Sequence, residues 1–201
     1  MKKQAVAAIM VPSPNTWLKR YYFARFAVSA AWVVVAFTVA KGAPTLAAVM
    51  LVAYPAWDAV ANAYDARQSG GLGQNQSQML NFVVSMVTAL AVALALTRSM
   101  HAVLAVFGVW AVLSGVLQLM TAVRRWSSFG AQWAMILSGA QSALAGIFFV
   151  KMASSPLPAS IANVAPYAAV GAFYFFVSAI WLTASDARRG SARAPASLGS
   201  R

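Results

Sequence analysis

The spacing of charge along this chain constrains its fold more than any other feature. Uncharged stretches run over 26–40, 42–57, 68–97, 99–123, 126–150 and 152–185. A helix that crosses ~30 Å of hydrocarbon at ~1.5 Å per residue needs about 20 such residues. Each of the four long stretches holds one crossing. The two short ones flank Lys41, and they span if Arg25 and Lys41 snorkel to the interfaces and Asp58 lies inside the second helix. The expected fold is therefore an all-α membrane protein of six transmembrane helices, at about 23–41, 44–64, 78–97, 101–123, 131–151 and 164–184. An arm over 1–22 precedes the six-helix domain of 23–184, and a basic, flexible tail over 185–201 follows it.

Composition agrees. Hydrophobic residues make up 61% of the chain and charged residues only 9%, against roughly a quarter in a soluble domain. Fifteen Lys and Arg face three acids, for a net charge of +12. A nucleic-acid binder gathers its cations on one exposed polar face. Here they punctuate apolar runs, so the partner implied is the lipid bilayer rather than nucleic acid. With no cysteine, disulfides, iron–sulfur clusters and thiol chemistry are excluded. Lys2 and Lys3 precede an apolar run of seven residues, Ala5 to Val11, which is at the bottom of the range for a signal-peptide core and meets Pro12 and Pro14.

The cations also orient the chain. With the N-terminus inside, Lys2, Lys3, Lys19, Arg20, Arg25, Arg67, Arg124, Arg125, Arg188, Arg189, Arg193 and Arg201 are cytoplasmic, and only Lys41, Arg98 and Lys151 are outside. Cations cross a membrane poorly, and anionic lipid holds them at the cytoplasmic face, so both termini are expected in the cytoplasm. Glycines in the longest connection, about 65–77 and containing Gln68 to Asn75, read as punctuation, because the loop lacks the Lys followed by Ser or Thr of a phosphate-binding loop.

The six helices further divide into three hairpins, roughly 22–67, 78–125 and 131–189. In each, a serine of the first helix precedes an outer cation by twelve or thirteen residues: Ser29 and Lys41, Ser85 and Arg98, Ser138 and Lys151. In the second helices an aromatic is followed four residues later by a polar group and then a small residue: Tyr54, Asp58, Ala59; Trp110, Ser114, Gly115; Tyr174, Ser178, Ala179. All three hairpins enter from the cytoplasm, so the reading is of parallel repeats about an axis normal to the membrane.

The segments Phe107-Gly-Val-Trp-Ala-Val-Leu-Ser-Gly-Val, Arg124-Arg125-Trp126 and Trp133-Ala-Met-Ile-Leu-Ser-Gly-Ala-Gln-Ser-Ala-Leu-Ala-Gly-Ile resemble the short-repeat membrane family typified by HdeD, the acid-resistance membrane protein of enteric bacteria. Gly42-Ala-Pro44 and Ser155-Pro156 resemble its outer-loop proline. The resemblance implies a bacterial inner-membrane location and a role in acid or envelope stress, and it brings no catalytic motif.

Asp58 is the acid expected within a span. A carboxylate there costs ~2.5 kcal/mol or more at full depth, so it should face the bundle and be protonated or meet a donor, for which Asn62, one turn on, is placed. It reads either as a proton-responsive group or as a hydrogen-bonded packing residue. Asn81 and Ser85 on the third helix, Ser114 and Gln118 on the fourth, and Ser138 and Gln141 on the fifth form either a polar track or interhelical hydrogen bonds. Ser138, Ser142 and Gly146, with Gly139 and Ala143 beside them, make small rows that let helices approach closely. His101 is expected at the outer surface, where it is either an acid sensor or an ordinary exposed residue. One His and three scattered Asp make no metal site, and no cofactor loop or nucleophile–base pair points to an enzyme. The expected function is a non-catalytic membrane protein of acid or envelope stress tolerance. The alternative is a small proton-linked transporter or channel built on Asp58. Six short helices enclose little volume, which is compatible with a homo-oligomer.

Overall fold

The computed structural model describes residues 14–68, 70–124 and 132–193. The start of the expected arm, the pair Arg125-Trp126 and the end of the expected tail lie outside those residues. Six long helices account for most of the rest: α1 (Pro14–Thr38), α2 (Pro44–Gln68), α3 (Gln76–Leu96), α4 (Met100–Arg124), α5 (Gln132–Ala153) and α6 (Ala165–Arg193). All six are long and apolar enough to cross a membrane. Their outward faces are apolar too, with Leu90, Leu144, Phe148, Phe173 and Trp181 each at least 60% exposed. Water would not tolerate so much contiguous apolar surface, whereas hydrocarbon does.

Two helices are longer than expected. α1 opens at Pro14 rather than near residue 23, because a proline at the first helical position loses no hydrogen bond and has its φ already set. α6 runs to Arg193, past the expected end at 184. The two extensions support one another through a 2.7 Å ion pair between Lys19 Nζ and Asp186 Oδ2. Residues 14–22 and 185–193 are thus helical. At the end of α2, Gly70 and Gly71 take φ of 101° and 96°, a region L side chains rarely enter. There the Gly71 N–H donates back to the Ala66 carbonyl over 2.7 Å, closing the helix end.

Helix pairing follows side-chain size. α4 and α5 make the closest pair: Cβ atoms placed on Gly115 and Gly146 would lie 2.5 Å from the backbone oxygens of Gly139 and Gly108. The glycines leave the two backbones in direct contact, as expected of the small rows. α1 packs along α6, α2 along α3, and α3 less closely along α4. By contrast α1 barely touches α2, and α5 barely touches α6, although each couple is consecutive in sequence. Large side chains hold the first couple apart: Trp32 reaches across to donate its Nε1–H to the Met50 carbonyl over 2.9 Å, and its ring lies 5.0 Å from that of Tyr54.

The bundle is also divided along its length. At the end bearing Lys41, Arg98 and Lys151, the fully buried side chains are apolar: Leu51, Val92, Val103, Leu104, Phe107, Ile161 and Val164. Polar side chains enter the interior in the other half.

Candidate functional site: an ion pair inside the bundle

Because α1 starts at Pro14, Arg25 lies well inside the helix rather than at its end. It does not snorkel outward. Its Nη2 meets Asp58 Oδ1 of α2 in an ion pair, and the two side chains are only 13% and 20% exposed. Nη1 donates to the Tyr21 hydroxyl over 3.1 Å. The guanidinium also sits 4.2 Å over the ring of Phe175 on α6, a cation–π contact with the negative face of the ring.

The second carboxylate oxygen is equally engaged. Asp58 Oδ2 accepts from Asn62 Nδ2 over 3.0 Å and from Ser85 Oγ of α3 over 2.9 Å. Ser85, fully buried, in turn accepts from Trp110 Nε1 of α4 over 3.2 Å. Each partner removes part of the cost of holding charge away from water, and together they leave a neutral, hydrogen-bonded unit. This unit joins α1, α2, α3 and α4 by polar bonds and α6 by a ring.

Next to it lies a chain of aromatic rings. Tyr54 meets Trp110 edge to face at 5.9 Å, and Trp110 meets Tyr167 of α6 at 6.1 Å. Two of the three are also hydrogen-bonded to a serine: Trp110 to Ser85, and the Tyr167 hydroxyl to Ser142 Oγ over 2.9 Å. Tyr54 stands at the same sequence spacing from the buried Ser29. Ser142 itself donates to the Ala111 carbonyl at 3.0 Å, across the close α4–α5 contact. In each case the aromatic follows its serine by 25 residues, on the second helix of the same hairpin.

Of the residues expected to matter, Asp58, Asn62 and Ser85 come together as one unit. Asn81, Gln118 and Ser138 are partly buried on α3, α4 and α5, and none bonds to Asp58 among the described contacts. The Ser114 hydroxyl is enclosed without a hydrogen-bond partner. Gln141, expected inside the bundle, is exposed instead, and its Oε1 accepts from the Tyr174 hydroxyl over 2.8 Å. That places Tyr174 away from the aromatic chain, where Tyr167 stands in its stead. His101 Nε2 lies 3.0 Å from the Leu157 carbonyl oxygen, tying the start of α4 to the α5–α6 connection. Among the described residues no three His, Asp or Glu side chains gather as metal ligands would.

Sequence reasoning did not find Arg25 as the partner of Asp58. The signal was available: a helix beginning at Pro14 puts Arg25 well within it, and a cation turned into a bundle needs an acid such as Asp58.

Residues 83–151, from within α3 through α4 to the end of α5, match the family described as a short repeat of unknown function, DUF308. Over those residues the chain is similar to that family. HdeD proteins belong to that family. No curated protein and no solved structure matches the chain. The matched segment contains Ser85, Trp110, Ser142 and the glycine contacts of α4 and α5.

Proposed function

We propose that this is a non-catalytic protein of the bacterial inner membrane, with both termini cytoplasmic, that supports tolerance of acid or envelope stress. Its six helices are read as three copies of one hairpin. The observation that carries this reading is the recurrence of one serine–aromatic spacing in all three hairpins, closed by a hydrogen bond in the second and third, within a chain whose middle third is similar to a short-repeat family. Taking Ser29, Ser85 and Ser142 as equivalent sets a period of 56 and then 57 residues. The same period superimposes Leu51, Phe107 and Val164, and also Ala59, Gly115 and Ala172, all buried. The third hairpin is therefore aligned on Ser142 and Tyr167, in place of Ser138 and Tyr174.

The stress role rests on the resemblance to HdeD, and the geometry is in keeping with it. Both Asp58 carboxylate oxygens are engaged by Arg25, Asn62 and Ser85, as suits a bundle that must stay intact when its surroundings change. Proton-linked transport through Asp58 has less support, because both carboxylate oxygens are already engaged. Deletion of the gene should reduce survival of the host bacterium at low pH, and complementation should restore it; undiminished survival of the deletion strain would remove the stress role.

Orientation has its own test. Reporter fusions after residues 42, 99 and 154 should read periplasmic, and fusions after 70, 127 and 190 cytoplasmic. The reverse pattern would overturn the inside placement of the termini.

A further inference from the structure

The helix contacts divide the bundle unequally. α2, α3, α4 and α5 form a continuous block, each helix packed on the next, and α1 packs along α6 as a separate pair. Between block and pair run two seams, α1 against α2 and α5 against α6, where backbones hardly approach. What crosses the seams is side chain. Trp32 bonds to Met50, Ser142 to Tyr167 and Gln141 to Tyr174. Arg25 and Asp58 supply the charged contact.

These bonds differ in what their loss would cost. A hydroxyl or indole that leaves its partner is a neutral group with modest desolvation. Arg25 and Asp58, separated at this depth, would each become an uncompensated charge in a medium that solvates charge poorly. The ion pair is therefore the steepest energetic barrier to parting the seam. It also reaches both bodies beyond its own helices: Arg25 lies over Phe175 of α6, and Asp58 is bonded to Ser85 of α3. Packing of the kind seen between α4 and α5 is bistable rather than soft, so motion concentrates where packing is thinnest.

We propose that α1 and α6 move as one body against the α2–α5 block, with the Arg25–Asp58 ion pair as the latch that holds the seam shut. The chain has no native cysteine, so spin labels can be placed without background. Exposed positions Arg20, Arg67 and Arg188 serve. Labels at R20C/R67C report across the seam, and labels at R20C/R188C report within the α1–α6 pair. In lipid nanodiscs, Asp58→Asn should lengthen and broaden the 20–67 distance by several ångströms and leave the 20–188 distance unchanged. Asn62→Ala, which keeps the ion pair, should leave both unchanged. Unaltered distances in Asp58→Asn, or equal broadening of both label pairs, would overturn the two-body latch. So would opening in Asn62→Ala equal to that in Asp58→Asn. Should Asp58→Asn not assemble, warming the labelled protein that retains Arg25 and Asp58 decides the matter: the 20–67 distribution should widen before the 20–188 distribution, and simultaneous widening refutes the proposal.

Discussion

Removing either member of the Arg25–Asp58 pair alone should be far more damaging than removing both. In Asp58→Leu the guanidinium keeps Tyr21 and the Phe175 ring but loses its counter-charge, and a buried charge left unpaired costs about 3–5 kcal/mol. Partial exposure of both side chains brings the expected loss to the bottom of that range or just below it, about 2–3 kcal/mol. Arg25→Met leaves Asp58 with Asn62 and Ser85 as its side-chain donors among the described residues and should cost a similar amount. In Arg25→Met/Asp58→Leu no charge remains, Asn62 still donates to the Asp58 backbone carbonyl at 2.8 Å, and Ser85 still accepts from Trp110. An apolar pair of similar volume is often as stable as the ion pair it replaces. The double variant should therefore recover most of the loss. The check is a double-mutant cycle on thermal denaturation in detergent, where coupling of ~2 kcal/mol or more is expected. Additive losses would show that the two residues act independently.

Gly115→Val and Gly146→Val should part α4 from α5. Even the first carbon of a side chain at these sites falls 2.5 Å from a carbonyl oxygen and 2.6 to 2.7 Å from a backbone nitrogen of the facing helix. Backbone cannot step aside as a side-chain tip can, so the helices must separate and forfeit their mutual contacts. Membrane helices have no hydrophobic drive to restore those contacts in another register. Overpacking of ~2–3 kcal/mol or more is expected, read as a Tm lower by about 5–10 °C in detergent. Gly42→Val, where an added carbon meets nothing within 4 Å, is the matched control and should leave Tm nearly unchanged. A Tm drop for Gly42→Val equal to that for Gly115→Val would detach the effect from helix contact.

Much of this was legible in residues read one span at a time. Asp58 with Asn62 one turn later is a local pattern, and the structure joins them. The small rows of α5 are local as well, and they meet α4 as small rows should. Ser142 and Tyr167 were harder to find, because Ser138 and Tyr174 offer the same residue types a turn or two away, and in so repetitive an alphabet only direct contact separates the two registers. Gln141 was misplaced for a related reason. An amide in a span is expected to face inward, yet one that accepts from a neighbouring hydroxyl such as Tyr174 can lie on the outer face.

The sequence alone determined that the chain has six helices long and apolar enough to cross a membrane. Those properties depend on length and hydropathy within a single segment, where backbone bonding is complete inside each helix. Only the tertiary structure decided that Arg25 is the counter-charge of Asp58, 33 residues away, and that α1 belongs beside α6 rather than beside α2. Pairing across such distances is settled by which faces fit, glycine against glycine and large ring between splayed backbones. No single span records the shape of the helix it will meet.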